Sequence, residues 1–311
     1  MERALLVLSA LLLNALLAGP HHWYEALGLA GLSAFPAQAL RDIERRLNRD
    51  HRSAKERRTR GTLLAFMVLA VSLVTGTLCG WWFRKYLPFG GLLLLILMLP
   101  VRPAWDTASS IRKYLKAGDL PAARQVLENT PWRHHALMDD DGVARAAIET
   151  LAVQFSENIL APALWYMALG LPGLFLSKTV WLLAETLVRP GNADHDFSRT
   201  AQKAHMIIHY LPSRLSALLW LTASLFVLPV HLRNTVRAIA SAMAKEPPQI
   251  LSLIAAASVL DASLGGPGSA YAHERWIGSG TTHPTPAIIG RALYLFAILH
   301  LLLFLLIGLA L

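Results

Sequence analysis

Residues Gly142 to Val188 read GVARAAIETLAVQFSENILAPALWYMALGLPGLFLSKTVWLLAETLV, and this stretch decides the fold class. It begins as a helix with polar residues and becomes an apolar run after Ile159. Four helix-breaking residues interrupt that run: Pro162, Gly170, Pro172 and Gly173. Broken helices are tolerated at membrane depth only where protein or a water-filled cavity satisfies the freed backbone groups. The segment therefore predicts a broken membrane helix, and the ionisable Lys178 within it is a functional-site hypothesis.

The composition of the whole chain points to an integral membrane protein. Of its 311 residues, 54% are hydrophobic and 16% are charged, and the mean hydropathy is +0.43. Soluble domains average roughly 45–50% apolar and about 25% charged residues. The 29 basic residues exceed the 20 acidic ones. In a membrane protein basic loops set topology and contact anionic lipid, so we expect lipid partners and no nucleic acid.

The apolar runs predict an all-α, polytopic helical bundle that forms a single membrane domain over residues 1–311. The predicted spans lie near residues 4–19, 62–83, 89–101, 159–188, 215–230 and 291–311. Residues 102–150 are predicted as a cytoplasmic helical insert, in which Asp119 caps a helix that has Pro121 in its first turn. Residues 189–214 and 231–290 are predicted as polar loops. The second contains an amphipathic helix and a helix that ends in Leu264-Gly265-Gly266-Pro267-Gly268.

A strongly basic segment, RDIERRLNRDHRSAKERRTR, covers Arg41 to Arg60. Its Glu/Arg spacing is typical of an exposed helix. Two interpretations stay open at this point: a cytoplasmic loop that obeys the positive-inside rule, or a specific site for an anionic substrate.

Several residues could carry chemistry, each with a plain structural alternative. Lys178 follows Ser177, but the phosphate-loop pattern requires Gly before Lys, so we reject that motif. Lys178 either snorkels to the interface or holds an anion in a polar cavity. Glu149 lies four residues after Arg145, which also suits a simple intrahelical ion pair.

Two further patterns have weaker functional signals. His205 and His209 have the i, i+4 spacing of metal ligands, but no third ligand is obvious beyond the nearby Asp194-His195-Asp196, and two surface histidines would give the same pattern. Gly265 and Gly266 first of all stop a helix, although their backbone amides could also approach a phosphate.

Five sequence features together resemble one family, the membrane-bound adenosylcobinamide-phosphate synthases of cobalamin biosynthesis (CbiB/CobD). These features are IERRLNR, LKAGDLPAARQVL, GVARAAIETLA followed by LAPALWYMALGLPG, the Tyr210–Leu215 segment YLPSRL, and Leu264-Gly265-Gly266-Pro267. The likeness covers most of the chain.

The resemblance implies a bacterial inner-membrane enzyme that forms an amide between a carboxylate of adenosylcobyric acid, a corrinoid, and aminopropanol or its phosphate. It implies ATP and Mg²⁺ as cofactors, and homo-oligomers or other membrane subunits as partners. On this basis we assign roles by residue. The catalytic residues are Glu149 and Lys178, and the metal-binding residues are Glu157 and Glu185. The substrate- or phosphate-binding residues are Arg133, Arg145, Ser177, Arg214, Gly265 and Gly266.

The chain departs from the family pattern where acidic and amide residues are expected. E-T-x-A-E-N becomes Glu149-Thr150 followed by Val153-Gln154, and K-A-x-N-T-x-D loses its Asn and Asp after Lys178. The paired Asp residues before Y-x-P-x-R are replaced by His205-Met206. An alternative to a divergent synthase is therefore a catalytically silent paralogue that acts as a membrane binding, assembly or signalling subunit, as in AmpE-type proteins.

Overall fold

The computed structural model describes residues 2–16, 30–49, 52–87, 89–128, 137–188, 195–226, 232–272 and 274–309. It is 81% helical, which confirms the all-α class. Among the described residues, three helical segments are long and apolar enough to cross a membrane, namely Ala54–Tyr86, Gly90–Lys116, which is interrupted at Leu99 and Pro100, and Pro286–Gly308. The chain divides into two compact units, which we describe one at a time.

Unit 1 comprises the described parts of Met1–Pro100 and Ala161–Tyr210. Its helices are α1 (Glu2–Leu16), α2 (Ala30–Leu47), α3 (Ala54–Tyr86), α4 (Gly90–Met98), α8 (Ala161–Leu169), α9 (Leu171–Leu187) and α10 (His195–Ile208). The 33-residue α3 begins with a capping box, because the Ser53 hydroxyl accepts from the Glu56 amide and the Glu56 carboxylate accepts from the Ser53 amide.

Helix α3 packs against α9 and α10 through small residues. A Cβ atom at Gly76 would lie 2.7 Å from Cα of Pro172, so the backbones of α3 and α9 approach closely there. The Thr62 and Thr200 hydroxyls are 2.8 Å apart, which links α3 to α10. A buried cluster completes this packing: Leu40, Leu64, Leu183, Leu187, Phe197 and Ala201.

Unit 2 comprises Val101–Leu160 and the described parts of Leu211–Leu309. Its elements are α5 (Val101–Lys116), α6 (Leu120–Val126), α7 (Asp140–Gln154), a π-helix (Phe155–Leu160), α11 (Tyr210–Ser224), α12 (Leu232–Met243), α13 (Pro248–Leu260), β1 (Leu264–Gly265), β2 (Trp276–Ile277) and α14 (Pro286–Gly308). The strands β1 and β2 are antiparallel, and Gly265 is opposite Trp276.

Helix α7 is the centre of unit 2, because every residue from Val143 to Val153 is buried. It packs against α5, α13 and α14. The Asp139 carboxylate starts α7 by accepting from the Gly142 amide at 2.7 Å. The predicted cap of α6 is confirmed, since Asp119 accepts from the Ala122 amide at 3.0 Å and Pro121 lies in the first turn.

The predicted interruption of the central segment has two physical forms. Directly after α7 the chain makes six residues of π-helix, Phe155–Leu160. Such π-bulges are often found at functional sites. The second interruption is Gly170, whose φ of 74° separates α8 from α9 in unit 1. Neither α8 nor α9 reaches 18 residues.

Two boundary predictions are corrected by the structure. The segment 189–214 is not simply a polar loop, because its described part forms α10 and the start of α11, whereas the two helices predicted within 231–290 are present as α12 and α13. Helix α13 ends at Leu260 rather than in the glycine turn, since Asp261 adopts a left-handed φ of 51°. The glycines that follow join a two-residue β ribbon that the sequence patterns did not reveal.

Candidate functional site

Glu149 lies at the centre of unit 2 and holds the glycine turn. Its Oε1 accepts a hydrogen bond from the Gly265 amide at 2.7 Å, and its Oε2 accepts one from the Ser269 hydroxyl at 2.7 Å. The Ser269 hydroxyl oxygen also accepts from the Ala272 amide at 3.1 Å. The carboxylate is completely buried. Both of its oxygens are thus used within the protein, which gives Glu149 a positioning role at this turn.

The burial of Glu149 changes its acidity. Loss of hydration raises the pKa of the carboxyl group from 4.5 to about 7, although the hydrogen bonds from Ser269 and Gly265 and the charge of Arg145 oppose this rise. A group with a pKa near 7 is divided between its protonated and ionised forms at physiological pH.

The glycine turn requires glycine at both predicted positions. Gly265 has a φ of 78°, and a Cβ atom there would lie 2.1 Å from the Arg275 carbonyl oxygen. Gly266 has a φ of 75°, and its Cβ would lie 2.7 Å from the Trp276 ring. The Gly266 amide donates to the Arg275 carbonyl at 3.0 Å. Because both amides are already hydrogen-bonded inside unit 2, a phosphate would have to displace these contacts to use them.

Arg145 connects α7 to the segment that follows the glycine turn. Its guanidinium lies 5.0 Å from the centroid of the Trp276 ring, a cation–π contact, and Nη1 donates to the Thr282 carbonyl at 2.9 Å. One turn earlier on α7, Asp141 contacts the imidazole of His283. The two contacts anchor both ends of the segment 276–283 on α7.

A cavity of about 480 Å³ lies behind this segment, between α12, α13 and residues 275–280. This volume is within the usual range of small-molecule sites. The polar side chains that line it come from all three walls: Asn234, Thr235, Ser241, Lys245, Glu246, Ser258, Asp261, Arg275 and Ser279. Trp276 is the aromatic wall and Gly278, with a φ of 92°, exposes its backbone. The cavity therefore carries both signs of charge.

Two arginines stabilise the walls of this cavity. Arg275 forms a two-pronged ion pair with Glu246, with distances of 3.1 and 2.8 Å. Arg214 in α11 donates to the backbone carbonyls of Met243 and Glu246 at 2.9 and 3.0 Å. Arg214 thereby ties α11 to the turn between α12 and α13, and its predicted contact with a phosphate stays a prediction.

The predicted residues Ser177, Lys178 and Glu185 lie on α9 of unit 1. Ser177 is buried, and Nζ of Lys178 lies 6.0 Å from the centroid of the Trp181 ring. Glu157 lies in the π-helix of unit 2 and is fully buried. Lys178 and Glu149, the two predicted catalytic residues, therefore belong to different units. The same is true of Glu185 and Glu157, the two predicted metal ligands. Arg133 lies outside the described residues.

His205 lies in the last turn of α10 and His209 directly follows that helix, and the His209 amide donates to the His205 carbonyl at 3.0 Å, so the two residues are one turn apart as their spacing predicts. Their rings are stacked with centroids 4.5 Å apart, and both are buried, so they are not the surface histidines of the alternative interpretation. Asp194 lies outside the described residues. The zinc hypothesis stays a prediction.

The residues that line the cavity were not predicted from the sequence. Lys245, Trp276 and the Glu246–Arg275 pair come from segments that looked like ordinary loop or helix ends, as does Ser269, which supports the glycine turn. The available signal was the unusual density of Gly and Ser between residues 263 and 280, since such residues allow backbone and ligand to approach closely.

The residues of the cavity fit the implied cofactors in part. Mg²⁺ is held through one or two carboxylates together with substrate phosphates, and Asp261 is an exposed residue whose carboxylate lines the cavity. Glu246 is the second carboxylate of the cavity, and it is paired with Arg275. Bound there, Mg²⁺ would neutralise phosphate charge, and Glu246 would hold it together with the substrate phosphates.

The fold and site define a class of helical protein that has, in the part of the chain described above, three helical segments long and apolar enough to cross a membrane, and a mixed-charge cavity in unit 2. The chain belongs to the CobD/CbiB family of cobalamin biosynthesis, because the family model described as "CobD/Cbib protein" matches residues 7–296. This confirms the resemblance found in the sequence motifs.

Individual relatives agree with the family assignment. The chain is 31% identical to the cobalamin biosynthesis protein CobD of Chromobacterium violaceum over 315 aligned positions, which cover 95% of this chain and 92% of the relative. It is 30% identical to the protein of the same name from Rhodobacter capsulatus over 247 positions, 77% of each chain. For that of Brucella anthropi the identity is 29%, over 70% of this chain and 68% of the relative. No solved structure matches the chain significantly.

Proposed function

We propose that this protein is an amide-forming ligase of the bacterial inner membrane, which joins aminopropanol or its phosphate to a carboxylate of adenosylcobyric acid. ATP and Mg²⁺ would activate the carboxylate. Family membership supports a role in cobalamin biosynthesis. The family resemblance supplies the reaction, and the geometry of unit 2 supplies a place for the smaller substrate.

The observation that carries this proposal is the mixed-charge cavity between α12, α13 and residues 275–280. Aminopropanol phosphate has a cationic amine and an anionic phosphate separated by a short chain. The carboxylate of Asp261 suits the amine, while Lys245 suits the phosphate, as does Arg275 when Glu246 holds Mg²⁺ in place of this ion pair. A volume of about 480 Å³ leaves room for this small molecule and part of a larger one.

Asp261 is the residue best placed to act as the base. Formation of the amide joins the amine nitrogen to the carbonyl carbon of an activated carboxyl group, whose phosphate leaves, and the amine must lose a proton. Asp261 is an exposed carboxylate in the cavity wall. It can accept that proton once the amine is bound beside it.

In this proposal Glu149 does not contact the substrate but holds the wall of the cavity in position. It holds the Gly265 amide, and Gly265 pairs with Trp276, the aromatic wall of the cavity. Arg145 supports the Trp276 ring from α7. Glu149 and Arg145 are therefore positioning residues, whereas Asp261 and Lys245 contact the substrate.

The test is genetic complementation in a bacterium that lacks its own synthase and is supplied with cobyric acid. We expect the wild-type protein to restore growth that requires cobalamin. Asp261→Asn and Lys245→Gln should lose this activity. Asp140→Asn and Lys116→Gln are the matched controls, because these exposed residues lie on α7 and α5 and do not line the cavity.

Product formation by purified protein, detected by mass spectrometry, distinguishes catalysis from an indirect effect on growth. If the wild-type protein is well expressed and inserted in the membrane but neither rescues growth nor forms product, the ligase proposal is wrong. The substitutions of family acidic and amide residues would then indicate a silent paralogue with a binding, assembly or signalling role. If both cavity variants remain as active as the controls, the substrate lies elsewhere.

A further inference from the structure

The basic segment Arg41–Arg60 leads to a groove in unit 1 that the proposed reaction does not use. The groove has a volume of about 590 Å³ and lies between the end of α2 and the first four turns of α3. The α3 side chains that line it are Lys55, Glu56, Thr59, Arg60, Leu63, Leu64 and Met67, and Leu47 closes it from α2. The C-terminal end of α2 is held in place by Arg52, which donates to the carbonyls of Arg46 and Leu47.

The lining of the groove changes from polar to apolar along a single helix face. Lys55, Thr59, Leu63 and Met67 follow one another at intervals of four residues, so they form one stripe on α3. Twelve residues of helix separate Lys55 from Met67, which corresponds to roughly 18 Å. The first half of the stripe carries an amine and a hydroxyl, whereas the second half exposes 64% of Leu63 and 55% of Met67.

Positive charge is concentrated at the polar end of the groove. Residues 54–60 contain four basic side chains and one acidic one. The acidic residue, Glu56, is engaged with the amide and hydroxyl of Ser53 at 3.1 and 3.3 Å. The N-terminus of a helix carries a partial positive charge of its own, so basic residues there are unfavourable unless an anion lies nearby. The neighbouring Arg52 shows this crowding, because partial desolvation and the charges of Arg60 and Arg49 lower its pKa.

The apolar end of the groove points along α3 toward the rest of this helix, which is long and apolar enough to cross a membrane. A ligand of this groove must therefore present an anionic group at Lys55 and Arg60 and a hydrocarbon chain along Leu63 and Met67. We infer that the groove binds one anionic glycerophospholipid, with the phosphate between Lys55 and Arg60 and an acyl chain along the stripe. The bound lipid neutralises the positive charge at the start of α3. Its acyl chain lies between Leu64, which belongs to the buried cluster, and the surrounding bilayer.

The test uses the full-length protein in detergent, with equal amounts of dioleoyl phosphatidylglycerol and dioleoyl phosphatidylcholine added. Native mass spectrometry measures the ratio of the two bound lipids. We expect the wild-type protein to retain phosphatidylglycerol preferentially. In Lys55→Gln/Arg60→Gln the preference should fall by about thirty-fold at low ionic strength, since each basic residue contributes about five-fold near an anionic lipid.

The matched control is Arg46→Gln/Arg58→Gln, which removes the same charge from exposed residues of α2 and α3 outside the groove. It should change the preference by less than about two-fold, because exposed charges farther from the phosphate are screened by salt. Leu63→Ser tests the apolar half and should lower phosphatidylglycerol retention while the charged residues remain. All of these residues are exposed except Arg60, which is half-buried. The melting temperature in detergent should therefore change little, and its measurement checks that the variants fold.

Two results would overturn the lipid assignment. If the control pair lowers the preference as much as the groove pair, the attraction is a general effect of net charge and the groove is not a site. If glycerol 3-phosphate at about a hundred-fold excess displaces phosphatidylglycerol completely, the groove recognises a phosphate without its chains, which is the anionic-substrate interpretation of the basic segment. The result of the lipid-binding test does not depend on the result of the complementation test, because none of these residues lies in the cavity of unit 2.

Discussion

The buried carboxyl group of Glu149 makes the stability of unit 2 depend on pH, and Glu149→Gln should remove that dependence. The glutamine amide has the same shape as the carboxyl group. Its oxygen can accept from the Gly265 amide, and its nitrogen can donate to the Ser269 hydroxyl oxygen, so both contacts of the glycine turn are kept. The substitution therefore changes the ionisation and little else.

The magnitude follows from the difference between the folded and unfolded pKa values. Burial raises the pKa of Glu149 from 4.5 to about 7. The protonated form is favoured in the folded protein, so its contribution to the free energy of unfolding is complete below pH 4.5 and is lost as the pH rises through about 7. The full loss is roughly 3 kcal/mol, and about 2.5 kcal/mol of it falls between pH 5 and pH 8.

The assay is thermal unfolding of purified protein in detergent at several pH values between 5 and 8. We expect the melting temperature of the wild-type protein to fall relative to that of Glu149→Gln by on the order of 5 °C across this range. Glu128→Gln is the control, because Glu128 is an exposed carboxylate at the end of α6. Its difference from wild type should not vary with pH.

A constant difference between wild type and Glu149→Gln from pH 5 to pH 8 would refute the reasoning. Glu149 would then keep one ionisation state across the range, and its hydrogen bonds would have to compensate fully for the loss of hydration. An increase in wild-type stability with pH would show that the bonds from Gly265 and Ser269 outweigh burial and lower the pKa of this group.

Two pairs of glycine variants test the close backbone contacts in each unit. Gly265→Ala should unfold unit 2 or lower its melting temperature by many degrees, because the new Cβ would overlap the Arg275 carbonyl; Gly118→Ala, with a similar φ of 73° and nothing within 4 Å, should cost only about 1–2 kcal/mol. Equal melting temperatures would rule out the overlap. In unit 1, Gly76→Ala should destabilise the α3–α9 contact by about 1–3 kcal/mol, whereas Gly80→Ala, whose Cβ has 3.9 Å of space, should be neutral or stabilising by up to about 1 kcal/mol. Similar unfolding curves for these two variants would show that α3 and α9 can separate at no cost.

Local patterns were sufficient for the helical class and for several helix ends. The Asp119 cap, the break at Gly170 and the apolar α3 and α14 all follow from residues within a few positions of one another. The same reasoning was wrong about the end of α13. A glycine turn is a strong stop signal, but Asp261 ended the helix first by adopting a left-handed conformation, which Asp tolerates better than most residues.

The candidate site depends on pairings that no local pattern contains. Sequence reasoning selected Glu149 and the glycine turn separately, and it predicted a catalytic role for Glu149 and substrate or phosphate binding for Gly265 and Gly266. In the structure Gly265 and Ser269 are 116 and 120 residues away from Glu149, and both donate hydrogen bonds to its carboxylate. The carboxylate that looked catalytic is a buried acceptor, and the cavity is formed by neighbours that were not selected.

The sequence by itself determined that this chain is a helical membrane protein of the CobD/CbiB family, because hydropathy, caps and family motifs are properties of short segments. Only the tertiary structure decided which polar groups form hydrogen bonds within the protein and which face a cavity. Burial and hydrogen bonding depend on how elements more than a hundred residues apart are brought into contact. The same carboxylate or arginine can bind a ligand or fasten a turn, and the partner within about 3 Å makes the difference.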